Sequence, residues 1–209
     1  MYFQKGYIYH IYNQGNNHRK VFLDRENYLF FLTKINNYVL PFADILAWCL
    51  MPNHFHLMVL VNEVEIEIND GDIKTKRIET IQTKTLMKSR SLNDSFAIML
   101  RSYTRAFNNM HGFTGKLFRE GTKCECVNCP DGVAPTFFVN QGVTLINTKN
   151  SELQYPQVCF NYIHQNPVGA RLVKQPIDWE FSSARDFAGL RKGKLVNISL
   201  AKQYVEVDL

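Results

Sequence analysis

The chain contains no apolar stretch approaching the roughly 18 uninterrupted residues of a membrane-spanning helix, and its start, MYFQKGYIYHIYNQG, lacks a signal-peptide core. These two absences predict a cytoplasmic protein with no membrane partner. Cysteine is sparse and odd in number: five residues, of which Cys124, Cys126 and Cys129 crowd into CECVNC while Cys49 and Cys159 sit in apolar surroundings. That pattern argues against a disulfide framework and for buried thiols at Cys49 and Cys159. A C-x-C-x-x-C run supplies three zinc ligands and lacks a second knuckle, so an incidental thiol-rich loop is favoured over a structural zinc site. An excess of one charge is also missing. Twenty-four Lys and Arg against 19 Asp and Glu leave a formal charge of +5, which permits a polyanionic partner without identifying one. There is no internal repeat. Apolar side chains are plentiful, at 45% of 209 residues with 15 Phe and 10 Tyr, enough to bury one full core and to exclude wholesale disorder.

Hydrophobic periodicity places a strand over residues 6–13, closed by the turn material Gln14, Gly15, Asn16 and Asn17. Asp24 caps a helix carrying Tyr28, Leu29, Phe31, Leu32 and Ile35 at helical spacing. Two strand-like runs, PFADILAWCL and HFHLMVLV, flank Met51, Pro52 and Asn53 and predict an antiparallel hairpin. Residues 62–94 form a polar stretch expected to be an irregular arm or a short helix pair. A helix over 92–110 follows, with Asn93 or Asp94 as its cap and His111 and Gly112 as its stop. GKLFREGTKCECV has strand character, and 128–150 is rich in Gly, Pro and Asn, as a hairpin or long excursion would be. The last main helix spans 151–165 and is expected to end close to Pro167. DWEFSSARDFAGL and the residues after it form a partly helical cap. The order strand, helix, two strands, helix, strand, helix predicts an α+β fold: a ferredoxin-like or RRM-like antiparallel sheet with helices packed on it.

Two short segments carry chemistry. Alternate residues of a strand share a face, so in His54-Phe55-His56 both imidazoles project together, one half of a site for a first-row divalent metal, while Phe55 turns to the opposite layer. The plainer alternative is two histidines exposed or hydrogen-bonded at the core rim. In CFNYIHQNPV, Tyr162 and Asn166 are one helical turn apart, so a nucleophile and an oxygen ligand can approach one metal. Tyrosine suits strand transfer because its phosphodiester keeps the energy of the broken bond. The alternative is a packed Tyr162 and an Asn166 that merely caps the helix. His164 points to another side, either exposed or touching DNA. Arg19, Arg101, Arg105, Arg119 and Arg171 lead a set of basic residues able to track a phosphate backbone, alongside Lys20, Lys88, Arg90 and Lys116, although each alone is ordinary solvated surface. Trp48 and Trp179 could stack bases, with core packing favoured for both.

Taken together, YHIYNQGNNHRKVF, LMPNHFHLMV, RSYTRAFN, GKLFRE and YIHQNPVGARLV followed by DWEFSS resemble the single-tyrosine HUH transposases, in particular the group associated with repetitive extragenic palindromes. The resemblance implies a catalytic domain over residues 1–190 with an insertion at 122–150, followed by a C-terminal tail at 191–209. It further implies Mg²⁺ or Mn²⁺ held by His54, His56 and Asn166, and Tyr162 as the nucleophile forming a 5'-phosphotyrosine. The implied partners are single-stranded or hairpin DNA and a second copy in a homodimer, in a nucleoid-associated setting. The activity expected is a metal-dependent transposase or endonuclease that cleaves and rejoins single-stranded DNA. The other readings are a non-catalytic single-stranded nucleic-acid-binding protein and a phosphodiesterase that uses water.

Overall fold

The computed structural model describes residues 1–68, 88–129, 137–140, 143–146 and 151–207. In chain order they form β1 (Ile8–Gln14), α1 (Arg25–Tyr38), β2 (Ala43–Met51), β3 (His54–Val61), β4 (Glu65–Ile68), β5 (Lys88–Ser91) and α2 (Leu92–His111). There follow β6 (Lys123–Cys126), β7 (Phe137–Asn140), β8 (Val143–Ile146), α3 (Ser151–Gly169), and two short helices, α4 (Ala184–Phe187) and α5 (Ile198–Ala201). One antiparallel sheet has the order β2, β3, β1, β6. Each strand-helix-strand pass therefore leaves a gap that a strand of the other pass fills, which is the ferredoxin-like arrangement expected from the element order.

The near-continuous apolar run of β3 follows from its place inside the sheet, covered on both faces. Alternation divides its side chains: Phe55, Leu57, Val59 and Val61 enter the core beneath α1 and α2, whereas Met58 and Leu60 enter a second core beneath α3. His54 and His56 share the face of Met58 and Leu60, so the histidine pair lies on the α3 side. In β2 the register slips between Ile45 and Ala47, and this bulge turns both Leu46 and Ala47 to that side.

Local signals set the helix ends. Asp24 accepts from the Asn27 amide at 2.9 Å and starts α1 as expected. For α2 the cap is Ser91, not Asn93 or Asp94: its hydroxyl accepts from the Asp94 amide at 3.1 Å and donates to the Asp94 carboxylate at 2.7 Å. Gly112, at φ 66°, ends that helix in a left-handed conformation that costs glycine little.

Other expectations meet a different outcome. α3 does not stop at Pro167 but runs to Gly169, because the lost proline amide removes only one bond. The Ala170 amide still reaches Asn166 O at 2.9 Å, and the Leu172 amide reaches Pro167 O at 2.9 Å across a left-handed Arg171. The described ends of the polar arm pair as the antiparallel ladder β4 and β5 rather than as helices, the reading for residues 69–87 lying outside the described residues. Of GKLFREGTKCECV, Lys123–Cys126 forms the strand beside β1, whereas GKLFRE contributes an isolated antiparallel bridge from Phe118 to Gly15. A disulfide joins Cys126 to Cys129, a local tie across three residues rather than a framework, and it removes two of the three thiols that zinc would have used. Cys49 and Cys159 are buried free thiols. The segment 128–150 contains the hairpin of β7 and β8, with residues 130–136, 141–142 and 147–150 lying outside the described residues. The C-terminal residues form the partly helical cap expected: α5 lies there, and Val196, Ala201 and Val205 are buried in the two cores. No helix among the described residues is long and apolar enough to cross a membrane.

Candidate active site

The turn before His54 is clamped by the end of β1. Pro52 O accepts from the Val21 and Phe22 amides at 2.8 and 3.1 Å, and Asn53 O accepts from the Gly15 amide at 2.7 Å. Gly15 is required there, since a Cβ would collide with the Arg19 carbonyl. On the other wall, Tyr155, Cys159, Phe160 and Ile163 bury one face of α3 against the sheet. Burial of Phe160 and Ile163 stabilises the docking by roughly 1.5–3 kcal/mol each. Ser183 also binds α3 to β2, with its Oγ 2.7 Å from His164 Nε2 and accepting the Trp48 amide at 2.9 Å.

That docking brings Tyr162 and Asn166 to the histidine pair within one chain. Asn166 Oδ1 lies 3.1 Å from His54 Nε2, and Asn166 Nδ2 lies 3.4 Å from His56 Nε2. The two imidazole rings stand at 84° with centroids 4.9 Å apart. Tyr162 packs edge-on to His56 at 5.3 Å, yet it is 46% exposed, which overturns the alternative of a tyrosine buried between helix and sheet. His54, His56 and Tyr162 line a cleft of about 310 Å³ together with Tyr12, Gln14, Arg119 and Lys123.

Burial lowers the pKa of His54, opposed by its bond to Asn166, and lowers that of His56 well below the ordinary range, reinforced by His10 and His54. Both rings are therefore neutral near pH 7 and keep a lone pair. His54 Nδ1 lies 2.6 Å from Asn53 Oδ1, and when the one hydrogen of the neutral ring serves that contact, Nε2 is bare towards the Asn166 oxygen. In that tautomer Nε2 and the Asn166 oxygen both present lone pairs, a donor set that fits a divalent first-row ion. Among the described residues no group of three or more His, Cys, Asp and Glu could hold a metal. The Asn166 amide contacts both imidazoles.

The predicted basic residues divide. Arg119 lines the cleft and donates to His18 Nε2 at 3.0 Å. Arg19 lies over the Phe113 ring, 5.1 Å from its centroid, and Arg171 is exposed just beyond α3. Arg101 and Arg105 are exposed on α2, which packs on the opposite face of the sheet, so the structure does not bring them to the cleft. His164 is neither exposed nor on a nucleic-acid surface: it is fully buried against Ser183, and burial lowers its pKa to about 3. Trp48 is buried, as expected, and Trp179 donates to Leu50 O at 3.0 Å.

Sequence reasoning missed His10, Tyr12 and Lys123. His10 Nε2 lies 2.9 Å from His56 Nδ1, Tyr12 donates to Glu125 at 2.7 Å, and Lys123 is the β6 partner of Tyr12. The signal was present: His10, Tyr12 and Gln14 alternate on the same face of β1, and the register sets Tyr12 against His56 and Gln14 against His54.

No protein-family model matches the sequence, and no curated protein matches it. Among solved structures the chain is similar to that of a REP-associated tyrosine transposase bound to a REP hairpin, at 18% identity over 100% of this chain and 96% of that one, with a TM-score of 0.47.

Proposed function

We propose that the chain is a metal-dependent transposase or endonuclease that cuts and rejoins single-stranded DNA through a 5'-phosphotyrosine. The observation that carries this reading is the half-exposed Tyr162 in edge contact with His56, beside an amide wedged between two neutral imidazoles. A bound Mg²⁺ or Mn²⁺ would draw electrons from the scissile phosphate. His54, His56 and Asn166 would hold that ion, and Arg119 and Lys123 would seat the DNA backbone along the cleft. The Tyr162 oxygen then attacks phosphorus and loses its proton to solvent. The bond from phosphorus to the 3' oxygen breaks, and that oxygen leaves as a protonated 3'-hydroxyl. A second 3'-hydroxyl reverses the attack and restores Tyr162. The DNA acted on is single-stranded or hairpin DNA.

The test is incubation with Mn²⁺ and labelled hairpin-tailed single-stranded DNA. A covalent protein-DNA species should form and should vanish in Tyr162→Phe. Cleavage without that species would indicate attack by water, and metal-independent binding of intact strands would indicate a binding module. An adduct equally abundant in Tyr162→Phe would remove this residue as the nucleophile.

A further inference from the structure

His10 is 6% exposed, lies in the interior of β1, and packs against Tyr12 and Tyr162 beneath the cleft. A polar ring so deep in a sheet needs a partner, and its Nε2 meets Nδ1 of His56 at 2.9 Å, with the rings stacked at 24°. One proton lies in that bond. If His10 donated it, the neutral His56 would carry its own hydrogen on Nε2, the atom directed at Asn166, and would have no lone pair there for a metal. If His56 donates it, Nε2 is bare. Only the second arrangement is compatible with metal ligation by His56.

We infer that His10 is a positioning residue: by accepting from His56 Nδ1 it holds His56 with a free Nε2 turned into the cleft. Asn53 Oδ1, 2.6 Å from His54 Nδ1, offers His54 the same kind of acceptor. Each imidazole thus has its own buried or turn-borne acceptor behind it, and partners of this kind fix both the tautomer and the ring plane of a ligating histidine. The inference rests on the metal-site reading of His54 and His56.

Two measurements on the full chain test it. Ring tautomers read by long-range ¹H–¹⁵N correlation in the metal-free native protein should show His56 protonated on Nδ1; protonation on Nε2 overturns the inference and needs no variant. Titration with Mn²⁺ should then show His10→Leu binding about 10–100-fold more weakly than native. His10→Gln, whose amide oxygen reaches the same point, should recover most of the loss. Native-like Mn²⁺ affinity in a folded His10→Leu, with affinity lost in His54→Ala, would reject the role of His10 and leave the metal site standing. Native protein that binds no Mn²⁺, or binds it as well after His54→Ala, would remove the metal site and the role of His10 together.

Discussion

His10 and His164 are neutral in the fold because burial removes the solvent that would stabilise their charge, with values lowered to about 4 and about 3. Unfolded, each protonates near 6.5. Between these limits the unfolded chain binds more protons, so stability is complete above about pH 6.5 and falls as the pH drops towards 4. Melting temperatures across that range should decline on acidification, and the decline should be shallower in His164→Gln, which cannot charge. Identical slopes would show that His164 is not held neutral. The donor set leads to a second expectation. Two imidazoles suit Mn²⁺ better than Mg²⁺, which prefers oxygen ligands, so adduct yield at equal subsaturating concentration should be higher with Mn²⁺.

Two contacts position the elements that meet at the cleft. Ser183 Oγ serves both the Trp48 amide of β2 and His164 of α3. Ser183→Ala strands both groups in a dry interior and should cost about 1–3 kcal/mol, measurable by urea unfolding. Its effect on adduct formation should exceed that of a comparably destabilising change elsewhere, because α3 carries Tyr162. Gly15 allows the end of β1 to lie against the turn of Pro52 and Asn53. Gly15→Ala should push that turn away and reduce adduct yield; a native yield would mean that the Arg19 carbonyl moves aside without disturbing His54. The capping of α1 was legible because Asp24 acts within its own turn. The cap of α2 was not, since Ser91 also ends β5, and the choice among Ser91, Asn93 and Asp94 depends on how β4 and β5 deliver the chain.

One chain holds all four side chains of the proposed site, although His54 and Asn166 lie 112 residues apart in sequence. Mixing Tyr162→Phe with His54→Ala should therefore restore no adduct, since neither variant supplies the other's missing group. Recovery of the adduct on mixing would mean that α3 is exchanged between copies. The same layering separates Arg101 and Arg105 from the cleft by the thickness of the sheet. Charge substitutions there should change DNA affinity less than Arg119→Ala or Lys123→Ala, as a filter-binding series at fixed salt would show.

Alternation along HFHLMVLV was enough to place His54 and His56 on one side and Phe55 on the other, because side-chain direction in a strand is a property of the backbone alone. Helical spacing likewise paired Tyr162 with Asn166, and the order of elements specified the sheet. Which face of the sheet α3 covers, that His10 stands behind His56, that His164 is internal and that Arg101 is remote all depend on long-range packing. No local period encodes them: His10 meets His56 through the pairing of β1 with β3, α2 carries Arg101 on the other face, and α3 takes its place when Phe160 and Ile163 bury themselves on the sheet.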